Sequence, residues 1–239
     1  MKTYRLILIA LAATLMAACH INLGGETKWT YEHPELYHLG DATLQPTISD
    51  IDISWLEGNI DLVYADHPEV RLYEVADSAL CDSLRMRWYV DDEGCLKIQF
   101  CQSGTYKTFR LNNLGKRLTI AVPRGMKLGE LDVDAVSTEL CIDSVCCRAL
   151  NLDVVDVTAT VQAPTLPDEI DVDAVGTTLR LYVPPTAGMT IEMSGVSTEL
   201  NCDLPVIKDG KKSVVGDGRC RVDIDAVKGS LYINQIGEK

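Results

Sequence analysis

The chain has 239 residues, with 22 lysines and arginines against 35 acidic residues, and a formal charge of -13. That balance argues against a phosphate backbone as the main partner, since nucleic-acid binding relies on basic surface. It also argues against a polybasic grip on anionic lipid, whereas a cationic partner, a divalent ion or plain solubility agrees with it.

The first element is a targeting leader over residues 1–18. Lys2 and Arg5 give it a positive start, residues 6–18 form an apolar run broken only by Thr14, and Ala17 and Ala18 precede Cys19. The run is too short for a membrane span, which needs about 20 apolar residues. The small-small-Cys ending points to lipidation of Cys19 and cleavage before it. The expected location is the bacterial cell envelope, with the lipid as the membrane contact. Without the leader's two basic residues the side-chain charge is 20 minus 35, or -15. The alternative is an ordinary leader cut after Ala18 that leaves Cys19 free.

Residues 19–48 read as lipid anchor and tether, with Gly24, Gly25, Pro34, Gly40 and Pro46 and little alternation. Trp29, Tyr31 and Tyr37 could instead tuck against a domain edge. The domain itself is expected over 49–239. Residues 51–63 read as a strand, a glycine corner at Gly58 and a second strand. Alternation resumes at 70–75. Residues 85–90, a turn at 91–94 and residues 95–102 read as a hairpin, and 117–123 as a strand stopped by Pro123. Helical spacing is scarce.

From Leu131 the sequence repeats itself. Leu131-Asp-Val-Asp-Ala-Val returns as Leu152-Asp-Val-Val-Asp-Val, Ile170-Asp-Val-Asp-Ala-Val, Ile191-Glu-Met-Ser-Gly-Val and Val222-Asp-Ile-Asp-Ala-Val, at intervals of 21, 18, 21 and 31 residues. Such a period marks a solenoid whose units bury their apolar faces against one another. Within the third copy the inward parity slips at Ala174-Val175. A strand cannot change its buried face without a bend, so each copy holds two short strands about a corner. The fold class predicted is all-β, a right-handed β-helix or β-roll-like solenoid. Consecutive coils should stack Leu140, Val161, Leu179, Leu200 and Leu231 inward. A β-sandwich is the competing architecture. The long last interval implies a hairpin-like insertion over 203–221.

These repeats, with the opening Ile51-Asp-Ile-Ser-Trp and Gly58, resemble the bacterial β-strand-repeat lipoproteins of unknown function, akin to adhesin-head domains. The resemblance covers roughly 50–235. It implies an envelope-anchored domain with an adhesion, ligand-binding or assembly role and no established catalytic residues, and it alone implies the outer membrane.

The repeats place Asp132, Asp153, Asp171, Glu192 and Asp223 in one outward acidic ladder, with Asp134, Asp173 and Asp225 in a sparser second row. Calcium would offset their repulsion, because carboxylate oxygens suit that ion. The glycine-rich repeats of calcium β-rolls are missing, so a solvated ladder without cofactor is the plainer reading. The same carboxylates suggest a polysaccharide-processing β-helix enzyme as the rival function. No nucleophile elbow, phosphate loop or metalloprotease motif accompanies them. Eight cysteines follow Cys19. Cys202 and Cys220 bracket the insertion and are candidates for a disulfide that staples it. Trp55 shares parity with Ile51 and Ile53 and should close the end of the core.

Overall fold

The computed structural model describes residues 30–45, 47–105, 114–144 and 146–237. The leader, Cys19 and Trp29 lie outside the described residues. Among those described, the one helical element is a single 3-10 turn at Pro34–Leu36.

Two short strands open the fold, β1 (His38–Leu39) and β2 (Ala42–Leu44). Then come β3 (Asp50–Trp55), β4 (Gly58–Ala65), β5 (Val70–Val75), β6 (Arg87–Val90), β7 (Cys95–Gln99) and β8 (Arg117–Pro123). The repeats supply β9 (Lys127–Val136) with β10 (Thr138–Asp143), β11 (Cys146–Val155) with β12 (Thr158–Gln162), and β13 (Glu169–Val175) with β14 (Thr178–Val183). They continue with β15 (Met189–Val196) and β16 (Glu199–Cys202), and a hairpin of β17 (Val206–Asp209) and β18 (Lys212–Val215). The pair β19 (Cys220–Val227) and β20 (Ser230–Gln235) completes the chain.

The strands form an 11-stranded and a 9-stranded sheet, parallel through their centres. Each coil gives one strand to each sheet, and the apolar side chains of both pack into one core. This is the solenoid-like architecture the repeats imply. The strands before the repeats join the same sheets, since β3 pairs with β9 and β4 with β10.

The corner explains how one repeat serves two sheets. Ser137, Asp156, Gly176, Ser197 and Lys228 all have positive φ at the equivalent place. Their backbone N–H groups run from coil to coil: Ser137 to Val155 O, Asp156 to Val175 O, Gly176 to Val227 O and Lys228 to Val196 O. The third corner holds Gly176, where a β-carbon would meet only the movable carboxylate of Asp156, and the other corners carry Ser, Asp and Lys at a similar positive φ. The hydroxyls of the buried Thr138 and Thr177 donate to Val136 O and Val175 O, which satisfies them inside.

Three expectations are corrected. First, the second repeat begins at Leu150, not Leu152. Leu150 and Asn151 stand opposite Leu131 and Asp132. Both leucines have the inward parity, so alternation could not choose between them; the left-handed corner at Asp156 does. The inner stack therefore contains Ala159 in place of Val161, beside Leu140, Leu179, Leu231 and Leu200.

Second, coil order does not follow the sequence. The 11-stranded sheet runs β7-β3-β9-β11-β13-β19-β15 through its parallel part. The last coil thus sits between the two coils that precede it, and the second coil lies outside the first. Third, Trp55 is fully buried but does not end the core, because the β7–β8 coil covers it. Its ring meets Phe100 edge-on at 5.0 Å.

The outer ends are capped by antiparallel strands. β6 and β1 extend one sheet and β5 and β2 the other, while β18 and β17 extend the far end. The insertion is the expected hairpin. Part of the segment read as tether lies on this domain, with Tyr37 edge-on to Tyr89 at 4.5 Å.

Candidate functional site

The most distinctive surface is the outer face of the 11-stranded sheet. Alternation sends every second side chain of β3, β9, β11, β13, β19 and β15 outward. Parallel pairing at about 4.8 Å then turns equivalent positions into rows. The first row reads Lys97, Asp52, Asp132, Asn151, Asp171, Asp223, Glu192, Lys212. The second reads Gln99, Ser54, Asp134, Asp153, Asp173, Asp225, Ser194.

The acidic ladder therefore exists, with one member exchanged. Asp132, Asp171, Asp223 and Glu192 share a row, while Asp153 belongs to the second. Asn151 takes its place and donates from Nδ2 to Asp132 Oδ1 at 2.6 Å and to Glu130 Oε1 at 2.5 Å. The second row holds four aspartates in unbroken succession. Asp52, Lys97 and Lys212 were missed in the sequence. Asp52 was within reach, because Ile51-Asp-Ile-Ser-Trp has the repeat's pattern. The lysines carry no such signal, since each lies in a strand outside the repeats.

Among the described residues, lysine compensates charge only at the two ends of the first row, and Arg221 does so at Asp223, one strand in from the Glu192 end. Lys97 Nζ donates to Asp52 Oδ2 at 2.9 Å, and Lys212 pairs with Glu192. Arg221 pairs with Asp223 and reaches Glu169 Oε1 at 3.2 Å. Between the ends lies a depression of about 430 Å³, lined by Asp52, Asp132, Asp134, Asn151, Asp153, Asp171 and Asp173. The carboxyls of Asp132, Asp134, Asp153, Asp171 and Asp173 hold protons more tightly than usual. Asp134 is pushed up to about 7, first by desolvation and then by Asp153, Asp52 and Asp132. Asp173 is pushed up to about 6 by desolvation, then Asp153, Asp171 and Asp225. Desolvation also leads the upward shifts of Asp132, Asp153, Asp171 and Asp225; Asn151 opposes it at Asp132 and Arg221 at Asp171. Asp134 retains substantial solvent exposure. Water and salt therefore screen much of this repulsion.

Among the described residues, no group of three or more His, Cys, Asp or Glu side chains is placed to hold a metal ion. Cys202 and Cys220 are free thiols in this structure. Cys202 ends β16 in one sheet and Cys220 begins β19 in the other. The insertion between them is held by backbone pairing instead, β18 lying antiparallel on β15. Burial raises the Cys220 thiol to about 12, so it is a protonated, unreactive group.

No family model and no curated protein matches this chain. Solved structures do. A crystal structure of a putative cell adhesion protein from Clostridium sporogenes superposes with a TM-score of 0.65 at 15% identity, covering 84% of this chain and 100% of that one. A putative adhesin from Bacteroides fragilis is matched over 84% of this chain and 97% of that one, at 14% identity and a TM-score of 0.35. The first similarity shows the fold: an all-β domain like that of the clostridial protein.

Proposed function

We propose that this protein is a non-catalytic lipoprotein of the bacterial envelope that presents the acidic face of its longer sheet for adhesion or assembly. The lipid on Cys19 holds it to the membrane, the outer membrane on this reading, and we take the coils to wind right-handed, as parallel crossovers do. The observation that carries the reading is the pair of in-register carboxylate rows, compensated by lysine only at the ends. A rigid parallel sheet fixes their spacing without any ligand, which limits the ordering cost of binding. The partner chemistry that fits is cationic or polar: a basic envelope protein, or a glycan. The fold shared with a putative cell adhesion protein supports this reading.

The test offers residues 20–239 to a panel of glycans and envelope proteins, with and without calcium, reading binding and turnover together. Saturable binding that weakens when Asp153 and Asp173 become Asn supports the proposal. Product formation abolished by one carboxylate-to-amide change would overturn it in favour of polysaccharide processing. Binding that strictly requires calcium would assign the ion to these rows.

A further inference from the structure

The last coil is built in out of order. β19 is hydrogen-bonded in parallel on both sides, to β13 and to β15, and β20 likewise to β14 and β16. Both flanking coils precede it in the chain. They must therefore stand apart, or part, before residues 220–235 can enter.

The slot is shaped for this segment. Val222 lies between Ile170 and Ile191, Ile224 between Val172 and Met193, and Ala226 between Ala174 and Gly195. Gly195 has φ 114, and a β-carbon there would come within 1.8 Å of Ala226 O. Only glycine permits that approach. Arg221 adds a charge contact to Glu169 across the strands at 3.2 Å. Every contact named here joins 220–235 to the flanking coils, so the slot cannot distinguish its own coil from that of another copy.

The hinge is short and glycine-rich. Residues 216–219 join β18 to β19, with Gly216 at φ 57 and Gly218 at φ 70. Gly216, Asp217 and Arg219 are exposed. The hairpin before the hinge stays on its own β15 through four residue pairs. Short hinges ahead of a self-contained segment are where chains trade elements. Four residues span at most about 13–14 Å when extended, so trading requires close copies.

We propose that β19–β20 is an exchangeable coil, through which two copies of this chain join by each filling the other's slot. The partner is a second copy, and the recognition element is residues 220–235. The proposal does not depend on what the acidic face binds.

The test inserts a site for a sequence-specific protease between Asp217 and Gly218 of the full chain. The cut protein is incubated with excess fluorescent peptide of residues 218–239, and label eluting with the protein is measured. Uncut chain is also refolded over a range of concentrations and sized by light scattering. Expected are retention of the coil after cutting, uptake of the peptide, and no uptake of the same peptide carrying Ile224→Asp. The refolded chain should give a dimer that grows with concentration and falls to monomers when the hinge is cut. Failure of the peptide to exchange, monomer at every concentration, or a dimer that survives hinge cutting would each overturn the proposal.

Discussion

Lys116 and Glu74 form an ion pair sealed inside the protein, with Nζ 2.5 Å from Oε1 and side chains 0% and 3% exposed. Lys116 also donates to Leu84 O at 2.8 Å and to Phe100 O, and lies 3.9 Å from the Phe100 ring centre and 4.9 Å from that of Trp55. Glu74 accepts the Met86 N–H at 2.9 Å. Desolvation pulls the Lys116 pKa down and the Glu74 charge pushes back. All three ammonium protons thus have acceptors, which is the condition under which a buried charge is tolerated. The pair fastens β5 to the loops beside β7 and β8, under the capped end of the solenoid.

Breaking that pair from one side should be costly. Lys116→Ala strands a buried carboxylate, and the expected loss is about 3–5 kcal/mol in urea unfolding. Lys116→Met combined with Glu74→Leu should lose less than either single change. Singles within 1 kcal/mol of wild type, on the scale of about 0–1 kcal/mol typical of exposed pairs, would show that the pair is not sealed.

The inner leucine stack should be graded by position. Leu179 is buried mid-stack, whereas Leu200 is half-buried on the terminal coil. Leu179→Ala should cost about 2–5 kcal/mol, because transfer and cavity terms add. Leu200→Ala should cost clearly less. Equal losses would contradict the coil order described here.

The acidic rows set the sign of the pH response. Asp134 and Asp173 are raised to about 7 and about 6, against about 3.9 for a free aspartate. The folded state therefore binds their protons more tightly than the unfolded chain. Their penalty is complete above the folded values and is relieved as pH falls from about 8 toward about 4. The melting temperature should rise between pH 8 and pH 5, and Asp134→Asn should flatten that rise while stabilising the protein at pH 8. A melting temperature that falls over this interval, with no response to Asp134→Asn, would refute the ladder's role.

Lipidation at Cys19 predicts a mature N-terminal peptide that begins with an acylated cysteine. Mass spectrometry of membrane-extracted protein reads this directly. An unmodified Cys19, or a retained leader, would remove the anchor from the functional proposal. Cys19→Ser should release the protein from the membrane fraction.

The repeat was legible because its chemistry is local. Ile170-Asp-Val-Asp-Ala-Val alternates, slips parity and alternates again, and no regular strand can do that without a corner. The two rows of carboxylates followed from the same alternation. The register of the second copy did not, because Leu150 and Leu152 have the same parity and differ only in their distance from Asp156. The Lys116–Glu74 pair left no trace at all, since a lysine between strands looks like any solvated loop residue.

By itself, then, the sequence determined the all-β class, the corner and the outward carboxylates, each a consequence of side-chain alternation within one repeat. Tertiary structure alone decided which repeat lies beside which. Near-identical coils present near-identical edges, so local pattern cannot rank their order. The order shows only in contacts between chain-distant residues, such as the close approach of Gly195 to Ala226 O. There the last coil lies between two earlier ones and brings their carboxylates into shared rows.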